Sequence, residues 1–159
     1  MKCIIMKNVL VAYYSLSGIT RRVAGQIHQD VGGTLFEIQE AVPYPRDYSA
    51  VVKQAKREIA SGFRPALNGE IPDIGEYDLI ILGSPNWWST VAPPITAFLT
   101  QADFERKTIA PFITHGGGGL NQTVGDIRKL CPHSNVLSGF DANRSGQLMV
   151  WLKSLDITN

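Results

Sequence analysis

The sequence predicts a doubly wound α/β sandwich, a parallel sheet with helices on both faces. Two observations carry that prediction. The runs Val9-Leu10-Val11-Ala12-Tyr13, Leu79-Ile80-Ile81-Leu82 and Ile109-Ala110-Pro111-Phe112-Ile113 are apolar throughout rather than alternating, as in strands buried on both faces. Stretches of helical period lie between them, and regular alternation of strand and helix implies right-handed crossovers covering both sides of one sheet.

Taken in order, the strand at Val9–Tyr13 is followed by a helix marked by Ile19, Val23, Ile27 and Val31. Leu35-Phe36-Glu37-Ile38 is a weaker strand, suited to a sheet edge. A second helix carries Val51, Val52, Ala55 and Ile59. Pro43-Tyr44-Pro45 precedes it, and Ser61-Gly62-Phe63-Arg64-Pro65 opens an irregular passage to about Tyr77. After the strand at Leu79–Leu82 come a helix at Ile95, Phe98 and Leu99 and the strand at Ile109–Ile113. Pro111 speaks against that last strand, because proline withholds a ladder hydrogen bond and is rare in central strands. A helix at Leu120, Val124, Ile127 and Leu130, an edge strand at Asn135–Leu137, and a helix at Leu148, Trp151, Leu152 and Leu155 complete the pattern.

With 159 residues and 44% apolar composition, the chain suits one domain spanning 1–159. Its formal charge of +1 balances 15 basic against 14 acidic residues without long single-sign blocks, which argues against nucleic-acid or membrane-surface partners. Cys3 and Cys131 have neither zinc nor disulfide spacing, so a reducing cytoplasm is expected. The start, Lys2 to Lys7, mimics a secretory n-region, but Lys7 and Asn8 interrupt its apolar stretch, and no export signal is read there. No apolar run approaches the ~18 residues of a membrane helix.

Three turns stand at the carboxyl ends of the buried strands. In Tyr14-Ser15-Leu16-Ser17-Gly18-Ile19-Thr20, the opening amides of a helix and the hydroxyls of Ser15, Ser17 and Thr20 form an anion cradle without a cation, or else simply cap the helix. It has no P-loop lysine, no dinucleotide Gly-x-Gly-x-x-Gly and no cysteine nucleophile. In Gly83-Ser84-Pro85-Asn86-Trp87-Trp88-Ser89-Thr90, adjacent tryptophans offer flat surfaces to a planar ring, or else pack in the core or a dimer interface. In Thr114-His115-Gly116-Gly117-Gly118-Gly119-Leu120, four glycines allow close backbone approach to a ligand, or else form a flexible loop.

Tyr-Ser-x-Ser-Gly-x-Thr, Phe36-Glu37-Ile38 with Pro43-Tyr44-Pro45 and Tyr48, Arg64-Pro65-Ala66-Leu67, Gly83-Ser84-Pro85-x-Trp87-Trp88 and Asp126-Ile127-Arg128-Lys129-Leu130-Cys131-Pro132 together resemble short-chain flavodoxin-like proteins with a double-Trp loop. The resemblance spans nearly the whole chain. It implies a five-stranded parallel sheet of order 2-1-3-4-5, whose ligand sits where the strand order reverses. It also implies FMN as cofactor: Ser15, Leu16, Ser17, Gly18, Ile19 and Thr20 hold the phosphate, Asn86, Trp87 and Trp88 flank the isoalloxazine, and Ser84 and Pro85 before them belong to the cofactor-binding residues. Thr114, His115, Gly116, Gly117, Gly118 and Gly119 cover its polar edge. Ser89, His115 and Gly118 depart from the family's usual residues, and the near-neutral charge departs from its usual acidity.

The function implied is electron transfer through FMN, with redox partner proteins or small quinone-like acceptors. The alternative is an NAD(P)H-dependent quinone reductase borrowing its nicotinamide platform from a second subunit as a homodimer. A receiver domain shares the strand order but needs an acidic phosphoacceptor where this chain has Ser84. A flavin-free interaction module would keep the fold alone. His115, in a glycine loop, either lends a proton or positive charge to the reduced ring or, the favoured reading, is solvated, and Asn86 is the second-loop residue expected to tolerate left-handed geometry. Arg21 and Arg22, on the first helical turn, either add positive potential near the phosphate loop or face water.

Overall fold

The computed structural model describes residues 8–157, so Cys3 and the Lys2 to Lys7 segment lie outside the described residues. The core begins with β1 (Val9–Tyr13), buried at every position, and continues with β3 (Leu79–Trp87) and β5 (Thr108–Thr114). These central strands pair in parallel, with Leu10 opposite Ile80 and Ile80 opposite Ile109. The edges are β2 (Thr34–Glu37) beside β1 and β6 (Asn135–Val136) beside β5, giving the order β2-β1-β3-β5-β6. Two further strands bring the count among the described residues to seven: β4 (Thr90–Val91) folds back antiparallel on β3, and β7 (Phe140–Asp141) pairs with β5. The expected five-strand order is therefore kept, with the fifth strand split and one hairpin added.

The split strand explains how Pro111 is accommodated. Carbonyls of Ile109 and Ile113 accept from Leu137 and Ala142 on the edge side. Pro111 shares their parity, so its missing N–H faces that edge rather than β3. The edge strand is interrupted opposite it, with β6 ending at Val136 and β7 starting at Phe140.

Alternate residues of the strands feed two cores. Leu10, Ala12, Ile80, Leu82 and Ile109 pack with α3 (Pro93–Thr100) through Ile95, Phe98 and Leu99, and with α4 (Thr123–Leu130) through Ile127. The same cluster takes Val51 of α2 (Tyr48–Ser61). Val9, Val11, Leu79, Ile81 and Phe112 pack on the other face with Val23, Ala24 and Ile27 of α1 (Ile19–Val31) and Leu148 and Leu152 of α5 (Leu148–Ser154). Each fully buried Leu or Ile here contributes roughly 1.5–3 kcal/mol of apolar transfer.

Local chemistry places the helix ends. Asp47 accepts from the Ala50 N–H to start α2, and Gly62, in left-handed geometry at φ 70°, ends it. Two prolines open α3, where their missing N–H groups have no helical partner to lose. The fourth helix starts at Thr123 rather than Leu120, because the Leu120 carbonyl is taken by both the amide and the hydroxyl of Thr123. Cys131 is buried beside α4, and burial, partly offset by a contact with Ser134, pushes its thiol up to about 11. Among the described residues no helix is long and apolar enough to cross a membrane, and no group of His, Cys, Asp and Glu is arranged to hold a metal.

Candidate functional site

The three turns singled out in the sequence converge at the carboxyl edge of the sheet, where the order reverses between β1 and β3. The Thr20 and Thr114 hydroxyls meet at 2.8 Å, joining the first turn to the third. Asn86 Nδ2 donates to the Gly119 carbonyl at 2.8 Å, joining the second to the third. Leu16 lines one cavity of about 250 Å3 together with Asn86, Trp87 and Trp88, which joins the first to the second; Tyr48, Val51, Val52 and Ala55 of α2 close its far wall.

The first turn is built around Gly18, whose φ of 99° belongs to glycine, and a Cβ there would meet open space. No side chain caps α1, so its first N–H groups, those of Ile19 and Thr20, have no helical partner and carry the positive end of the helix dipole. The hydroxyls divide. Ser15 Oγ accepts from the Gly18 N–H, buried Thr20 is spent on Thr114, and Ser17 alone remains exposed with its hydroxyl free. Ser17 is thus wholly free for a ligand, and Ser15, which only accepts, keeps its own proton to donate. Leu16 and Ile19 are exposed beside Ser17.

The second segment is a hairpin rather than a loop. β3 runs on to Trp87, Asn86 pairs with Val91, and positive φ falls at Trp88 (53°) and Ser89 (70°). Those two residues form the tight turn of twisted strands. Left-handed geometry therefore sits at Trp88 and Ser89, not at Asn86, whose side chain is committed to Gly119. Ser84 is fully buried: its hydroxyl accepts from the Ala92 N–H and donates to the Pro85 carbonyl, closing the hairpin's base. That hydroxyl therefore has no proton left to donate to a ligand. Pro85, half-buried, continues β3 toward the turn.

The adjacent tryptophans take opposite parts. Trp87 is held edge-on between Tyr14 (5.7 Å) and Tyr44 (5.3 Å), packed on the α2–α3–α4 core. Tyr44 is itself fixed by donating to Glu58 at 2.6 Å, while Gln54 donates to the other Glu58 oxygen. Burial pushes both tyrosines well above the ordinary phenol range, reinforced by Glu40 at Tyr14 and by the Glu58 hydrogen bond at Tyr44. Among the described residues the buried Tyr14 hydroxyl has no hydrogen-bond partner. Trp88, by contrast, is 49% exposed; its Nε1 donates to the Val52 carbonyl, and the Lys56 ammonium lies 5.0 Å from its ring.

In the third turn the glycines bracket an open shelf. Gly117 and Gly119 have positive φ, and added Cβ atoms at Gly116, Gly117 and Gly119 would touch nothing; Gly118 lies against Asn121 and Asn86. His115 is not solvated, contrary to the sequence reading. Its Nε2 bonds Asp141 at 2.7 Å and its Nδ1 accepts from the Gly117 N–H, while Asn143 donates to its carbonyl. The neutral tautomer protonated on Nε2 satisfies both ring contacts. Asp141 is raised by burial, but His115, the Asn143 N–H and Arg144 outweigh that and hold it below the usual carboxylate range. Of the two arginines, Arg21 is tied to Glu37, whereas Arg22 lines a second cavity of about 520 Å3 together with Ile19, Thr114, His115 and Asn143.

Sequence reasoning did not find the Tyr44–Glu58–Gln54 brace, the Lys56 contact or the Asp141–Asn143 clamp. Apart from the Gln54–Glu58 contact within α2, they join residues distant in the chain. The Pro43-Tyr44-Pro45 motif was the one visible trace of them.

Fold and site define a class: a doubly wound α/β protein whose ligand edge combines an uncapped helix start, an aromatic hairpin and a glycine shelf at the strand-order reversal. The chain belongs to the flavodoxin family, whose model matches residues 8–155. Among solved structures it is similar to a candidate flavoprotein from Bacteroides eggerthii, 30% identical, with TM-score 0.86 over 96% of this chain and 99% of that one. It is likewise similar to a candidate flavoprotein from Bacteroides uniformis, 30% identical, with TM-score 0.80 over 91% and 99% of the two chains. A flavoprotein from Lactobacillus acidophilus, solved in complex with FMN, is 26% identical, with TM-score 0.75 over 91% and 98%.

Proposed function

We propose that this chain binds FMN at the convergence of its three turns and works as an electron carrier, exchanging electrons with redox partner proteins or small quinone-like acceptors. The observation that carries the reading is the uncapped start of α1 facing the same edge as an exposed tryptophan. One end suits a phosphate and the other a planar ring. Family membership and the FMN complex of the Lactobacillus relative support the cofactor.

The residues present fit that group. The free N–H groups opening α1 and the Ser17 hydroxyl would hold the phosphate, with Gly18 keeping the approach clear. Trp88 offers its face to the ring, and Trp87 forms a fixed wall behind it. The amides of Gly116, Gly118 and Gly119 would face the ring's polar edge, that of Gly117 being held by His115, with Asn86 holding Gly119 in place. Bound FMN supplies the redox chemistry; the protein orients it and excludes water from one side. No side chain is assigned as nucleophile or general base.

Titration of the apoprotein with FMN and riboflavin tests the cofactor: FMN is expected to bind far more tightly, and equal affinities would refute the phosphate site. NADPH oxidation with and without a quinone tests the role. Slow oxidation is expected of a carrier, and rapid turnover would make the chain a quinone reductase.

A further inference from the structure

We infer that the outer face of α2, together with Trp88, is a docking surface for an acidic face of the protein that exchanges electrons with this chain. The inference deepens the carrier reading and rests on it. Arg46, Lys53, Lys56 and Arg57 are all exposed on or just before α2, and among the described residues none of them forms an ion pair. The two acids of the same segment are turned to internal uses. Asp47 caps the helix and accepts from Ser49, and Glu58 accepts from Tyr44 and Gln54. The outward field of this helix is therefore set by its cations.

The far end of the sheet has the opposite character. Asp73, Glu76, Asp78, Asp103 and Glu105 are exposed around the starts of β3 and β5, relieved there by Arg106 and Lys107. Asp73, Asp78 and Asp103 also accept from backbone N–H groups, as Asp47 does, but acids outnumber bases there while bases outnumber acids on α2. Such a separation orients an approaching charged partner, because like-charged contacts are rejected and complementary ones raise the encounter rate.

Position links the cationic face to the site. Lys56 stands 5.0 Å from the Trp88 ring centroid, inside the ~8 Å over which charge acts at physiological salt. Trp88 in turn lines the same cavity as Leu16, Asn86 and Trp87. Tyr48 (77% exposed) and Phe63 (50%) flank the cations at the two ends of α2. Exposed aromatics among unpaired cations give a partner both apolar contact and charge, the combination that interface centres favour.

The test measures binding of a fluorescein-labelled oligoglutamate peptide by anisotropy, at low and at physiological salt, beside an FMN titration of the same protein. Wild type is expected to bind the peptide with salt-sensitive affinity, and the triple reversal Lys53→Glu, Lys56→Glu, Arg57→Glu to weaken it by about tenfold or more. The milder single reversal Lys53→Glu is expected to weaken it by about threefold, which guards against a folding defect in the triple variant. Reversing Arg106 and Lys107 at the other end is expected to leave binding unchanged. The inference is overturned if wild type does not bind the peptide, if the triple variant binds as wild type does, or if the Arg106 and Lys107 reversals cost as much. Displacement of the peptide by micromolar NADPH would also overturn it, assigning the cations to a nucleotide. A protein that binds FMN but not the peptide loses the docking surface alone; one that binds the peptide but not FMN loses the carrier reading instead.

Discussion

The turn after β1 and the hairpin after β3 lie side by side at the same edge, yet they are held in place by opposite means. The first, Ser15 to Gly18, makes one short-range bond, from the Gly18 N–H to Ser15, and leaves α1 uncapped with Ser17 exposed. The hairpin is braced from several sides: Ser84 at its base, Asn86 on Gly119, Trp87 between two tyrosines, Trp88 on Val52, and Thr90 on Asp126 at 2.5 Å. An anion is gripped by backbone donors that must stay unpaired until it arrives, whereas a flat ring needs walls that do not move. The difference in bonding follows from that difference in task.

The sharpest way to break the comparison is to remove each tryptophan. Trp87→Ala is expected to cost the fold about 3 kcal/mol in urea unfolding, because it empties the space between Tyr14 and Tyr44. Trp88→Ala is expected to cost less than about 1 kcal/mol, because its ring is half exposed. Similar losses would show that the pair is not divided into wall and platform.

Next in size is the first turn. Ser17→Asp is expected to weaken FMN binding by at least about 100-fold, equivalent to ~2.7 kcal/mol, since it sets a carboxylate against the phosphate. Stability should barely change, as Ser17 is exposed and makes no bond. By comparison Trp88→Ala is expected to weaken FMN by only about tenfold. An unaltered FMN affinity in Ser17→Asp would remove the phosphate from this turn.

Thr114→Val unlinks the third turn from the first by leaving the buried Thr20 hydroxyl without its partner. A loss of about 1 kcal/mol is expected in thermal or urea unfolding, and no loss would mean the two turns are held by packing alone.

The smallest effect is a pH dependence in the third turn. Asp141 has its folded pKa held below the unfolded value of ~3.9, so its contribution is present above that value and is lost as pH falls through the lower folded one. Asp141→Asn should therefore lie below wild type in stability at neutral pH and converge with it in acid. A gap that persists at the lowest pH would assign the effect to packing rather than charge.

What was legible in the chain follows from local physics. Runs such as Val9–Tyr13 and Leu79–Leu82 must be buried on both faces whatever surrounds them. The helical spacing of Ile19, Val23 and Ile27 admits one buried stripe. These features determined the sandwich, while its strand order and the edge where a ligand belongs came from the resemblance that the glycine at position 18 and the turns at three strand ends carry. Tertiary structure decided the rest, because it depends on partners distant in sequence. Two adjacent tryptophans are alike in the chain, but strand alternation turns one toward Tyr14 and Tyr44 and a tight turn leaves the other on α2. Ser84 reads as a site hydroxyl until Ala92 folds back onto it, and His115 reads as solvated until β7 brings Asp141 to its ring. Pro111 is an objection to a central strand until the edge strand opens opposite it. In each case the residue type defines which bonds a side chain can make, and only the packed chain determines which of them it has already made.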